Sequence, residues 1–341
     1  GYMVPSTGYL KLFGLAAEND GIVLIVPKSD NPTRLPDETL PKQLFDVFRE
    51  YTNWIKILGV EDVGRLNEVV KKGRIHEFIL ISEALHEKKI ANIADMILNQ
   101  KKRIILIAGP SSSGKTTFAR RLAIQLRVNG IRPLNISVDD YFVDKDRTPL
   151  DEEGKPDYEA LEAVDLEFFN QSMNALLNGE EIDVPTFNFL TGKREFNGRK
   201  IRLDSDSVVV IEGIHALNPR LTSGIKDADK FKIYISAITS MRIDQHNRIP
   251  TTDLRLIRRI VRDNLFRGTS APETIDMWPA VRRGEERNIF PFQQEADVMF
   301  NSSLIYELLV LKGYALPLLS AITKDMPQYS EARRLIEFLS Y

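Results

Sequence analysis

IILIAGPSSSGKTT, residues 104–117, is the stretch from which the fold is read. Four apolar residues and Ala108 form a run short enough for a strand and apolar enough for one buried on both faces. Residues 109–116 then match G-x-x-x-x-G-K-[ST] without a mismatch. Phe118, Leu122 and Leu126 follow at helical spacing, and Gly130 offers a stop. Strand, glycine-bounded loop and helix in that order make an anion cradle, because loop and helix N–H groups turn inward toward phosphate oxygens. The expected nucleotide contacts are Gly109, Pro110, Ser111, Ser112, Ser113, Gly114, Lys115, Thr116 and Thr117. Lys115 can reach the β- and γ-phosphates, and the Thr116 hydroxyl can ligate Mg²⁺.

The 341 residues suffice for two or three domains, each with its own core. Apolar content of 43% and charged content of 28% are ordinary for a globular protein. A net charge of −2 gives no global pull toward nucleic acid or membrane, so an anionic ligand must be handled by a local site. Zero cysteines exclude a disulfide framework and a cysteine-based zinc site, and they fit a reducing, cytoplasmic setting. No run of 18 apolar residues and no signal-peptide pattern is found. The opening Gly1-Tyr2-Met3 reads as the start of a piece of a longer protein.

Residues 1–100 read as a smaller, mainly helical accessory region. A strand is expected at 21–26, a polar proline-punctuated loop at 31–41, and amphipathic helices at 43–58 and 74–98. His76 and His86 are placed on a solvated face of the second helix. The main unit runs over 101–325, with a C-terminal helix within 326–341. Buried strands are expected at 134–138, 208–211, 231–235 and 298–300. Asp165 and Gly179 bound a helix between them, and 185–203 reads as a small β-excursion. Strands alternating with helices give an α/β fold of the P-loop NTPase kind, a parallel sheet with helices on both faces. Gly109, Asp139 and Glu212 then share the carboxyl ends of the strands, where such sheets bind ligands.

Asp139 closes a buried strand, and a desolvated carboxylate is costly unless used. It reads as a general base for an attacking hydroxyl, against the alternative of a cap or loop charge. Asp140 reads as the more solvated of the two acids. Glu212 follows VVVI and stands where an acid can bind Mg²⁺, so Thr116 and Glu212 are the expected metal ligands. His215 reads as structural. Arg255, Arg258, Arg259, Arg262 and Arg267 crowd one helix within a lid expected near 251–290. Such arginines can neutralise a transferring phosphoryl group; a solvated basic face or a nucleic-acid patch are the competing readings.

From about residue 101 to 319 the chain resembles the phosphoribulokinase/uridine kinase family of P-loop kinases. GPSSSGKTT, VDDYF, PDYEALEAVD, VIEGIH and RRIVRDNLFRG carry the resemblance. It implies Asp139 as catalytic base, Glu159 as the carboxylate on sugar hydroxyls, Glu212 at the metal, and Arg258, Arg259, Arg262 and Arg267 in the lid. Lys115, Arg258, Arg262 and Arg267 join Asp139 as the expected catalytic group. The acceptor side is expected at Asp140, Tyr141, Phe142, Glu159, Phe187 and Arg194. Two departures stand out. Phe187 and Gly192 occupy the positions where uridine and cytidine kinases place a Tyr and a His to read the pyrimidine, and Glu159 replaces an Asp. The first hundred residues, with the VPSTGYL start, resemble a bacterial subgroup whose preceding region is related to a threonyl-tRNA synthetase accessory domain.

These readings imply an ATP- and Mg²⁺-dependent kinase acting on a hydroxyl of a nucleoside-like or sugar-like acceptor. No membrane partner is expected, nucleic acid is disfavoured without being excluded, and a homo-oligomer is left open. The rival from another class is a regulatory or RNA-associated ATP-binding module without small-molecule kinase activity. A GTPase switch ranks below it, because no Asn-Lys-x-Asp guanine-reading motif is present.

Overall fold

The computed structural model describes residues 5–18, 21–27, 31–36, 42–151, 154, 156–239, 241–244 and 247–340. It falls into two compact units, Gly1–Lys42 and Gln43–Tyr341. In the first unit, β1 (Gly14–Glu18) and β2 (Gly21–Ile25) pair antiparallel with Gly14 opposite Ile25. The expected strand at 21–26 is β2; of the expected loop at 31–41, residues 37–41 lie outside the described residues.

The second unit opens with α1 (Lys42–Leu58), α2 (Val63–Lys71) and α3 (Ile75–Asn99). Then come β3 (Ile104–Ala108), α4 (Lys115–Val128), β4 (Arg132–Ser137) and α5 (Leu166–Leu177). Four short strands, β5 (Glu181–Asp183), β6 (Thr186–Asn188), β7 (Lys193–Glu195) and β8 (Lys200–Arg202), make the expected excursion. The remainder is β9 (Ser207–Glu212), β10 (Lys230–Ser236), α6 (Thr251–Arg267), α7 (Ala271–Asn288), β11 (Val298–Asn301), α8 (Glu307–Ser320) and α9 (Tyr329–Leu339). Asp165 caps α5 by accepting from Phe168 N at 3.1 Å, as its position in the sequence predicts.

Five strands form one parallel sheet in the order β11-β10-β3-β9-β4. Alternation along β3 splits the core in two. Ile104, Leu106 and Ala108 pack with Val47 of α1 and with Phe169, Met173 and Leu176 of α5. Ile105 and Ile107 pack with Ile90, Ile93 and Ile97 of α3 and with Phe118, Leu122 and Leu126 of α4. Burial on both faces explains why β3 is continuously apolar rather than alternating.

Two expectations change here. The compact unit begins at Gln43 and not near residue 101, because α1 and α3 supply apolar side chains to both faces of the sheet. The helices assigned to an accessory region are therefore part of the main core. His86 is also not on a solvated face. It is buried in register with Ser82 and Ile90, one helical turn away on either side. Its ring centroid lies 5.2 Å from that of Trp54 and 5.4 Å from that of Phe300. Nε2 lies 3.2 Å from Ser303 O. His76 is exposed as expected. No helix among the described residues is long and apolar enough to cross a membrane.

Candidate active site

Because β3 pairs with β9, and β9 with β4, the carboxyl ends of three strands deliver the phosphate loop, Glu212 and Asp139 side by side. Gly109 is required where the loop leaves β3. A Cβ there would stand 2.1 Å from the carbonyl oxygen of Ile235 on the neighbouring strand β10. The first turn of α4 leaves the N–H groups of Lys115, Thr116 and Thr117 without intrahelical acceptors, as any helix start does. Lys115 Nζ donates to the carbonyls of Gly109 at 2.8 Å and Pro110 at 3.3 Å.

Thr116 and Glu212, 96 residues apart, meet directly: Thr116 Oγ1 donates to Glu212 Oε1 at 3.0 Å and Oε2 at 2.9 Å. A hydroxyl and a carboxylate are hard oxygen donors of the kind Mg²⁺ takes, with phosphate oxygens and water completing its octahedron. Among the described residues no three His, Cys, Asp or Glu side chains form a metal cage, so the pair fits a cation shared with a phosphate ligand. A cavity of about 230 Å³ opens beside this pair, lined also by Arg120, Ser137, Asp140 and Arg199. A larger one, about 580 Å³, lies between α1, α3 and β11 and touches none of these groups.

Asp139 sits in a short 3₁₀ turn, Val138–Tyr141, at the end of β4. Burial pushes its carboxyl up to about 6; Lys115 and Arg267 pull it down, and Glu212 and Asp140 add to the rise. Burial also raises Glu159, against the pull of Arg259 and Lys115, and lowers Lys115 despite Glu212, Asp139 and Glu159 nearby. Four titratable groups from four distant segments therefore form one electrostatic cluster.

The arginines divide into two sets. Arg255 is 1% exposed and ion-paired to Glu285, itself fully buried; Arg258 is paired to Glu307. Neither is the free lid cation expected. Leu256, Ile257 and Ile260 of the same helix are buried against α7, α8 and α9, so α6 is a packed element of the core. Arg259, Arg262 and Arg267 gather instead around one buried carboxylate, Asp263, at 3.2, 2.7 and 3.8 Å. Three guanidinium groups on one acid leave positive charge to spare, and Arg259 Nη1 reaches the Ser111 hydroxyl at 2.7 Å. Of the arginines expected to be catalytic, Arg262 and Arg267 thus belong to this second set and Arg258 to the first.

Two of the expected acceptor contacts, Tyr141 and Arg194, have their side chains committed elsewhere. Tyr141 is fully buried between Phe168 and Phe169. Arg194 pairs with Asp165 at 3.0 Å and lies over the Phe168 ring at 4.8 Å. Asp140 is half-buried and accepts from Phe187 N at 3.3 Å, so it anchors β6 rather than floating in solvent. Phe142 and Phe187, both nearly buried, stand edge-to-face with centroids 5.5 Å apart, beside Tyr158 and Phe189. Glu159 is held by Asn288 Nδ2, which donates to its carbonyl at 2.6 Å. His215 is fully buried, its basicity pushed down to about 4 mainly by desolvation, which agrees with a structural role. Sequence reasoning missed Glu285, Glu307 and Ser302. In GEERN and YELL the two glutamates look like ordinary helix-surface charges, and only the tertiary packing buries them.

The sequence pattern of the Phosphoribulokinase / Uridine kinase family matches residues 104–305, more than half the chain. A uridine kinase from Macrococcus caseolyticus is 31% identical over 200 residues, covering 58% of this chain and 87% of that protein. One from Lactobacillus helveticus is 28% identical over 201 residues, covering 59% and 86%. A solved structure described as a possible uridine kinase from Bacillus stearothermophilus aligns with TM-score 0.42 and 20% identity, over 63% of this chain and 98% of that one. With the phosphate loop at the head of the matched segment, the chain belongs to the phosphoribulokinase/uridine kinase family.

Proposed function

We propose that this chain transfers the γ-phosphoryl group of ATP to a hydroxyl of a nucleoside-like or sugar-like acceptor. The observation that carries the reading is the meeting of Thr116 and Glu212 beside the phosphate loop, in one electrostatic cluster with Lys115 and Asp139. Asp139, ionised above about pH 6, accepts the acceptor's O–H proton. The freed oxygen attacks the γ-phosphorus, the bond to the β,γ-bridging oxygen breaks, and ADP leaves with that electron pair. Lys115 and the Asp263-centred arginines stabilise charge on the transferring group. A Mg²⁺ held by Thr116 and Glu212 would neutralise charge on the β- and γ-phosphates. Glu159 supplies a buried carboxylate for acceptor hydroxyls. ADP release from Mg-ATP across a panel of nucleosides and polyols tests the reading. Release that depends on one hydroxylated acceptor supports it; hydrolysis that no acceptor stimulates and RNA does would contradict it.

A further inference from the structure

Charge stabilisation does not account for Arg255 and Arg258, whose charges are already balanced by Glu285 and Glu307. Both reach the phosphate loop at its carbonyls. Arg255 Nε donates to Ser111 O at 2.9 Å, and Arg258 Nη1 to Ser112 O at 3.3 Å. The next carbonyl, Ser113 O, accepts from Ser302 Oγ, and Arg258 Nη1 donates to that same Oγ at 3.2 Å. Lys115 holds the carbonyls of Gly109 and Pro110. Every loop carbonyl from Gly109 to Ser113 thus has a donor, and α6 supplies two directly and supports a third.

A trans peptide is planar, with its C=O and the following N–H pointing in opposite directions. Holding Ser111 O therefore aims Ser112 N–H, and holding Ser113 O aims Gly114 N–H. The acids fix the arginines in turn. Glu285 accepts from Ser111 N at 2.9 Å and from Arg282 at 3.1 Å as well as from Arg255. Glu307 accepts from Arg258 Nε at 2.8 Å and from Ser303 Oγ at 2.7 Å. With its charge balanced by an acid, each guanidinium reaches the loop through the backbone it holds.

We propose that Arg255–Glu285 and Arg258–Glu307 are positioning pairs that hold the carbonyl of Ser111 and, through Ser302, that of Ser113, and so aim the N–H groups of Ser112 and Gly114 at the nucleotide without touching it. The N–H groups of Ser111 and Ser113 are given to Glu285 and to Pro110 O. The proposal rests on the kinase reading of the same loop. Arg258→Lys is the informative variant. It keeps a cation opposite Glu307, but one ammonium lacks the planar fork that spans Glu307, Ser302 and Ser112 together.

Equilibrium dialysis of Mg-ATP gives Kd, and steady-state rates give KM for ATP and for the acceptor. In Arg258→Lys, Kd and KM for ATP should both rise about tenfold or more, while the acceptor KM moves less than about threefold. Arg334→Met is the control. It removes the ion pair from α9 to Asp253 of α6, 2.6 and 2.9 Å long, whose members make no hydrogen bond to the loop among the described residues. It should lower Tm and leave the ATP Kd unchanged. Arg258→Lys binding Mg-ATP within about twofold of the parent overturns the proposal, as does an equal rise in Arg334→Met. If Arg258→Lys does not fold, Arg255→Lys is measured in the same way; failure of both to fold would make the pairs folding elements and overturn it too. A parent chain that fails to bind Mg-ATP removes the kinase reading along with this one. A parent that binds leaves only the positioning role at stake.

Discussion

At the residue scale, Asp139 carries the sharpest consequences. Its carboxyl lies near 6 against an ordinary 3.8, so the folded chain binds more protons than the unfolded chain between about pH 4 and 6. Stability contributed by this group is therefore present at low pH and lost as pH rises through 6. Asp139→Asn removes that cost. At pH 7.5 it should unfold at higher denaturant, by on the order of 1–3 kcal/mol, while transfer falls roughly 10²–10⁴-fold. A variant that is both less stable and normally active would contradict the assignment. In the parent, kcat/KM for the acceptor should fall as pH drops below about 6. Glu212→Gln should act on the metal alone: a neutral amide is a weaker ligand for a hard cation, so the Mg²⁺ concentration for half-maximal rate rises. An unchanged Mg²⁺ titration would take Glu212 out of the metal site. These residues were legible in the sequence because a strand end fixes where an acid stands.

At the scale of elements, we propose that the β6–β7 hairpin borders the acceptor. Gly192 has φ +68°, and a Cβ there would lie 2.7 Å from Lys145 Cβ, so any side chain at this position, where the family resemblance leads one to expect a His, would be strained and crowded. Phe187 offers a ring but no hydroxyl. Asn188 could have compensated, but its side chain accepts from Leu190 N at 3.0 Å and Thr191 N at 3.3 Å, closing its own turn. A pocket of shape and apolar contact discriminates only about 10–200-fold per small group, whereas paired polar groups reach roughly 10⁴–10⁵. Uridine and cytidine should therefore differ little as acceptors; a uridine preference over cytidine beyond about a thousandfold would contradict this. The hairpin was legible as strands, but its commitments were not, since they are made across the turn and to Asp140. The same limit applied to α6. Its arginine periodicity is visible in the sequence, whereas the acids that sort those arginines stand 30 and 49 residues away, on α7 and α8.

For the whole molecule, the domain boundary shows where local reading ends. The strand and phosphate loop put the start of the main unit near Lys101, yet burial of α1 and α3 on opposite faces of the sheet moves the compact unit back to Gln43. That burial also predicts a pH response. His86 and His215 are both pushed from 6.5 down to about 4, mainly by desolvation. The unfolded chain then binds more protons between pH 6.5 and 4, so their stability contribution is lost on acidification. Asp139, Asp140 and Glu159, all raised by burial, act oppositely over part of that range, so the histidine contribution is read by difference between parent and variant. Between pH 6.5 and 4.5 the denaturant midpoint should fall further in the parent than in His86→Gln, and identical changes in both would refute a buried neutral His86. The central claim, phosphoryl transfer to a hydroxyl, is tested most directly by following the γ-phosphoryl group itself. The parent and Asp139→Asn are each incubated with γ-³²P-labelled Mg-ATP and a mixture of nucleosides and polyols, and the labelled product is separated. Label on an acceptor ester with the parent, and its near loss in Asp139→Asn, is the predicted result. Label released only as inorganic phosphate, at the same rate in both proteins, would contradict it.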